Sequence, residues 1–188
     1  ITNYSNDELL VKLKSIIEPL YLKDNIMEHL KYTPGNTSHM LELNKRTENN
    51  PDYNWYVVRF TRFSDKYTLY SNASYIDIYK NLYNKLYKYH NKIKKYLEYY
   101  VPFNNKVESI NFVNYLKTYF SRICLYMYST NKELMGGELK KVPYFDFSDN
   151  IFNNTIENID LYLFKKYHIS QDIINHILKI LPNYYNLD

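Results

Sequence analysis

The feature that most constrains the fold is a heptad of large side chains between residues 75 and 100. These side chains recur at alternating spacings of three and four for more than three repeats, at Ile76, Tyr79, Tyr83, Leu86, His90, Ile93, Leu97 and Tyr100. A flanking row widens the stripe, at Tyr75, Leu82, Tyr89 and Tyr96. A stripe of this width is typical of a helix that packs in a bundle. We therefore predict a coiled-coil-like helix here.

The lysines of the same stretch fall mostly outside this stripe. In the heptad register they occupy c, e and f positions, at Lys80, Lys85, Lys88, Lys92, Lys94 and Lys95. The predicted helix would thus turn tyrosine and leucine toward the core and lysine toward solvent. With Arg59 and Arg62 these six lysines form a candidate binding surface, which we call the basic face.

A first helix is indicated near the start of the chain. Ser5 and Glu8 form a capping box, in which each side chain satisfies an otherwise unpaired backbone amide. Pro19 predicts a break or kink, because proline lacks the amide that a helix interior requires. The apolar face of this helix is Leu9, Leu13, Ile16 and Leu20.

Further helices are indicated toward the end of the chain. Asn105 with Glu108 opens a central helix, and Asp149 and Ser170 cap two more. The predicted buried face of the central helix is Val107, Ile110, Val113, Leu116, Phe120, Ile123 and Met127.

Residues 55–70 carry the one strand pattern of the chain. Tyr56, Val58 and Phe60 alternate with Arg59 and Thr61, which predicts a strand. A polar break and a second run, residues 67–70, complete a predicted hairpin. The predicted fold is mainly α: one domain, residues 1–188, with four to five helices in a bundle and one β-hairpin insertion. Residues 33–53 are predicted to be a long polar loop and residues 130–148 an irregular segment.

The composition leaves several binding classes open. The chain has 24 Tyr but only 3 Gly and one cysteine, Cys124, so no intramolecular disulfide can form. Its net charge of +4 conceals a basic middle third between two mildly acidic ends. Such a block can attract phosphate, anionic lipid, sulphated glycan or an acidic protein, or it can face the acidic segments of the same fold.

The residue patterns favour binding over chemistry. The five histidines are scattered, and none has a metal-binding or catalytic spacing, so no metal, cofactor or catalytic residue is predicted. A small metal-independent nuclease built from one glutamate and one histidine would leave no such spacing. Glu8 with His29 or His176 is the pair we consider for it. Binding of RNA through the basic face is the main alternative to binding of a protein or membrane.

In its amino-acid composition and in the arrangement of its predicted elements, the chain resembles helical secreted proteins of malaria-type parasites, such as invasion ligands and the sporozoite cell-traversal protein. The resemblance rests on the tyrosine- and lysine-rich heptad, the WYVVRF stretch and the polar loop at 33–53, and it assigns a role to no single residue. It implies a non-enzymatic recognition protein that is secreted or at the cell surface. No window of the sequence approaches the eighteen or so consecutive apolar residues of a membrane span, so no transmembrane segment is predicted. A chain with no signal peptide before Ile1 would instead be cytoplasmic. The sequence does not determine the oligomeric state of the protein. It also leaves open whether four N-glycosylation sequons are used, at Asn3, Asn36, Asn72 and Asn153.

Overall fold

The computed structural model describes residues 6–29, 31–32, 56–60, 77–80, 99–103, 106–128 and 136–181. This part of the chain is mainly helical, as predicted. The helices are α1 (Glu8–Lys23), α2 (Ile26–His29), α3 (Lys106–Lys117), α4 (Tyr119–Tyr128), α5 (Gly136–Leu139), α6 (Ile156–Lys166) and α7 (Gln171–Ile180). The strands are β1 (Lys31–Tyr32), β2 (Tyr56–Phe60), β3 (Asp77–Lys80) and β4 (Tyr99–Phe103), and a 3-10 turn spans Asn150–Phe152. The predicted loop at 33–53 lies outside the described residues.

Helix α1 begins one residue after Asp7, whose carboxylate accepts hydrogen bonds from the amides of Leu9 and Leu10 at 3.1 and 3.2 Å. Asp7 is therefore the N-cap, and Ser5 lies outside the described residues. The predicted break at Pro19 is wrong, since α1 continues through it to Lys23. Pro19 and Ser15, whose carbonyl loses its usual helical donor, are both exposed. Solvent can therefore hydrate that carbonyl, and the helix tolerates the proline.

The strands form an antiparallel sheet in the order β1-β4-β2-β3. The predicted hairpin at 55–70 is not supported, because β2 pairs with β3 and β4. Residues 61–70 lie outside the described part of the chain. Local β-branched and aromatic enrichment identifies a strand, but the partner strand is decided by long-range packing.

The predicted heptad helix is wrong at both of its ends. Asp77–Lys80 is strand β3, and Tyr99 and Tyr100 open strand β4. Residues 81–98, with most of the heptad, lie outside the described residues. Tyrosine and isoleucine favour strands as readily as they fill a heptad, and over four residues the two patterns cannot be told apart.

The predicted central helix is two helices, α3 and α4, separated at Thr118. The Thr118 hydroxyl donates to the Tyr115 carbonyl at 2.6 Å and accepts from the Ser121 amide at 3.1 Å, so it ends one helix and caps the next. Val113, Leu116, Phe120, Ile123 and Met127 are buried as predicted. Val107 and Ile110 are not, being 49% and 37% exposed.

The buried side chains of the described residues form one cluster, rich in aromatic rings. Phe103 of β4 contacts Phe112 and Phe147, with ring centroids 5.3 and 6.4 Å apart, and so joins the sheet to α3. Cys124 is fully buried, and burial raises the pKa of its thiol. Of the segment predicted to be irregular, 136–139 form helix α5 and 140–148 form turns and irregular backbone, while 130–135 lie outside the described residues.

Candidate functional site

The structure describes two residues of the basic face, and only by their backbone. Arg59 lies in β2 opposite Asp77 and Tyr100, and Lys80 lies in β3 opposite Tyr56. Lys80 is therefore in a strand and not on the predicted helix. The other six residues of the basic face lie outside the described residues: Lys85, Lys88, Lys92, Lys94, Lys95 and Arg62.

One group of titratable side chains among the described residues lies at the junction of α1 and α2. After α1 ends, Asn25 pairs with Pro143 in an antiparallel bridge. The Ile26 amide donates to the Val142 carbonyl at 3.1 Å, and the Tyr144 amide donates to the Asp24 carbonyl at 3.2 Å. These bonds hold the chain after α5 against the junction.

His29 is bonded and stacked at this junction. Its Nε2 lies 2.9 Å from Asp24 Oδ1, and its ring stacks on Tyr144 with centroids 3.6 Å apart and planes 11° apart. The His29 side chain is still 37% exposed, so an external molecule could reach it. Burial, with the negative charge of Asp24 nearby, raises the pKa of Tyr144, which keeps its phenol neutral. We call Asp24, His29 and Tyr144 the junction site.

A second histidine and aspartate pair lies at the other end of α1. His176 Nε2 of α7 is 2.6 Å from Oδ2 of Asp7, the residue that caps α1. The pair therefore links the first described helix to the last. Burial alone would raise the pKa of Asp7, but the hydrogen bond from His176, the amides of Leu10 and Leu9 and the charge of His176 together lower it.

The structure does not bond Glu8 to His29 or to His176. Each histidine is bonded to an aspartate, Asp24 or Asp7, and Glu8 is exposed. Asp7 adjoins Glu8 in the sequence, so the prediction missed it by one residue. Asp24 and His29 lie five residues apart across a helix end, a spacing that no common motif signals.

In the helical core, a buried carboxylate caps a helix. Asp160 of α6 is fully buried, and its two oxygens accept from the amides of Tyr119 and Phe120 at 2.8 and 2.9 Å. Its negative charge lies at the N-terminus of α4, where the helix dipole stabilises it. Arg122 lies 4.8 Å from the centre of the Tyr119 ring in the same region. Asp160 therefore caps a helix from forty residues away.

The described residues also bear on metal binding and on membrane insertion. Among the described residues, no group of three or more histidine, cysteine or acidic side chains could hold a metal ion. Of the helices seen in those ranges, none is both long enough and apolar enough to cross a bilayer. No family model, curated protein or solved structure matches the chain.

Proposed function

We propose that this protein is a non-enzymatic recognition protein. The observation that carries the proposal is that each of its two histidine and aspartate pairs links two elements of the fold, α1 to α7 and the α1–α2 junction to residue 144. The pairs lie at opposite ends of α1, a 16-residue helix that is about 24 Å long, so the two pairs cannot act together on one phosphate.

The partner we propose is a protein or an anionic surface of a cell or membrane, contacted by the basic face. The basic middle third of the sequence supports this choice, because its cationic side chains attract anionic partners. We further propose that the protein is secreted or at the cell surface, in the manner of parasite host-interaction proteins. The described helices are proposed to belong to one bundle of four to five helices in a single domain.

Binding to anionic liposomes and to host cells tests the proposal against RNA binding. We expect the full chain to bind liposomes that contain phosphatidylserine, and to lose that binding when Lys85, Lys88, Lys92 and Lys95 are replaced by glutamate. The matched control also replaces four exposed lysines by glutamate, and so changes the net charge equally. These lysines lie elsewhere, at Lys23, Lys140, Lys165 and Lys179. Equal loss in both variants would show a general effect of charge. Binding to RNA alone, with a steep dependence on salt, would favour the nucleic-acid alternative.

An assay for RNA cleavage tests the enzymatic alternative. We expect no cleavage above background by the full chain. Cleavage that His29→Ala or His176→Ala abolishes would overturn the non-enzymatic proposal, because each change removes one member of a described pair.

A further inference from the structure

The outward face of α1 combines apolar and charged residues. All seven exposed residues of the helix lie on one side of it: Glu8, Val11, Lys12, Ser15, Pro19, Leu22 and Lys23. Leu22 is 70% exposed and Val11 45%. Single exposed apolar side chains are ordinary on protein surfaces. What distinguishes this face is the order in which its residues follow one another.

The exposed residues are nearly symmetrical about Ser15. Val11 and Pro19 stand four residues before and after it, and Glu8 and Leu22 seven residues before and after it. A second copy of the helix running antiparallel, related by a two-fold axis at Ser15, would bring Val11 level with Pro19 of that copy. Glu8 would come level with Leu22 of the second copy. Along the helix axis, it would lie only about 1.5 Å from the level of that copy's Lys23.

The charges of this face fit the antiparallel arrangement. Glu8 would face Lys23 of the second copy, and the two-fold axis repeats this contact. A parallel arrangement would instead place Glu8 against Glu8 and Lys23 against Lys23, which is repulsive. Lys12 follows Glu8 by one helical turn and adds positive charge beside the same carboxylate. Glu18 accepts a hydrogen bond from the Tyr21 hydroxyl at 3.1 Å and is engaged within its own chain.

The centre of the face suits close contact between two helices. The Ser15 side chain is small, and its hydroxyl is folded back to donate to the Lys12 carbonyl at 2.7 Å. Pro19 adds a compact ring one turn away. Small side chains at a crossing point allow helix axes to approach to about 8 Å.

We propose that two copies of this chain associate through α1, antiparallel and centred on Ser15. The contact involves one helix face about 24 Å long, which is too small for the roughly 1,000 Å² that a stable interface buries. The dimer is therefore weak and forms at high protein concentration. This association is independent of the proposed recognition of an anionic surface.

Disulfide trapping of Ser15→Cys in the full chain tests the two-fold axis. The native Cys124 is fully buried and does not compete. The two new thiols lie together on the two-fold axis. Under mild oxidation, we therefore expect a covalent dimer to form at least about tenfold faster than in a control variant. The control is Asn175→Cys, an exposed position on α7. Equal rates of dimer formation in the two variants would overturn the proposal.

Exchange of the charges tests the antiparallel direction. In the Ser15→Cys background, Glu8→Lys and Lys23→Glu should each slow dimer formation several-fold, and the double exchange should restore it. Circular dichroism verifies that each variant is folded. Failure of the double exchange to restore dimer formation would contradict the antiparallel contact, since only that arrangement pairs these two residues.

Discussion

Asp160 shows how a single residue can join two helices. Its two carboxylate oxygens accept from consecutive amides, those of Tyr119 and Phe120, so a side chain of α6 serves as the cap of α4. Because the carboxylate is fully buried, these amides have no access to water as a substitute. The residue therefore fixes both the start of α4 and the packing of α6 against it.

We expect Asp160→Asn to lower the free energy of unfolding by about 2–4 kcal/mol, because the amide replaces one acceptor with a donor that faces another donor. Denaturant unfolding followed by circular dichroism measures the change. The control is Asp149→Asn at the exposed cap of the 3-10 turn, where asparagine caps as well as aspartate and little change is expected. An equally small change at both positions would show that Asp160 is not needed as a buried acceptor.

His168 is the one described non-glycine residue with a positive φ, 53°. It follows α6 in a Schellman arrangement, in which the Ile169 amide donates to the Phe164 carbonyl at 2.9 Å and the His168 amide to Lys165 at 3.2 Å. Glycine adopts this conformation without strain. We therefore expect His168→Gly to raise the free energy of unfolding by about 0.5–1 kcal/mol. His168→Ala, which removes the ring but keeps the strain, should give no such gain in the same unfolding measurement.

At the scale of elements, the pair Asp7 and His176 fastens α7 to the start of α1. The carboxylate of Asp7 has a folded pKa below its unfolded value. Its contribution to stability is therefore present at pH values above the unfolded pKa and is lost as the pH falls through the folded one.

Replacing Asp7 by asparagine should weaken this acid sensitivity, because asparagine can still cap α1 but does not titrate. We expect the wild type to lose more stability than Asp7→Asn between about pH 5 and pH 2.5. Thermal unfolding across that range measures the difference. Asp172→Asn, at an exposed position of α7, should behave as the wild type does. If the Asp7 variant follows the wild-type pH profile, the carboxylate does not stabilise the fold in this way.

The sequence predicted those features of the elements that depend on neighbouring residues. The buried positions Val113, Leu116, Phe120 and Ile123 follow helical periodicity, and Ser170 stands immediately before α7 as predicted. The prediction for Asp149 is wrong, because Asp149 caps the 3-10 turn and α6 begins only at Ile156, after its own cap Thr155. Features set by distant residues were missed. The split at Thr118 is reinforced by Asp160, and the residues that pair with β2 lie 18–24 residues downstream in β3 and 39–47 residues downstream in β4. The junction site escaped prediction for the same reason, since Tyr144 comes from a remote segment.

At the scale of the whole molecule, the first and last described helices pack on each other. The buried residues of α1, which are Leu10, Leu13, Ile17 and Tyr21, belong to the same core cluster as those of α7, and α3, α4 and α6 contribute to it too. Of the face predicted for α1, Leu13 is buried, and Leu9, Ile16 and Leu20 are partly buried against this cluster. Loss of packing in α7 should therefore destabilise α1 as well.

We expect Ile177→Ala, at a fully buried position of α7, to lower the free energy of unfolding by about 2–5 kcal/mol. Because the two helices share one core, amide hydrogen exchange should accelerate in α1 as well as in α7. Leu178→Ala, at an exposed neighbour, should change neither. Faster exchange confined to α7 would mean that α1 is stable without it.

The packing of α1 on α7 also has a consequence for synthesis. About 150 residues separate the end of α1 from the start of α7, and Tyr128 and Lys141, which contact Tyr21, also come late. At typical rates of translation, α1 leaves the ribosome about 7–30 s before α7 does. During this interval the nascent chain presents Leu10, Leu13, Ile17 and Tyr21 without their final cover, which makes α1 a natural site for a ribosome-associated chaperone to bind.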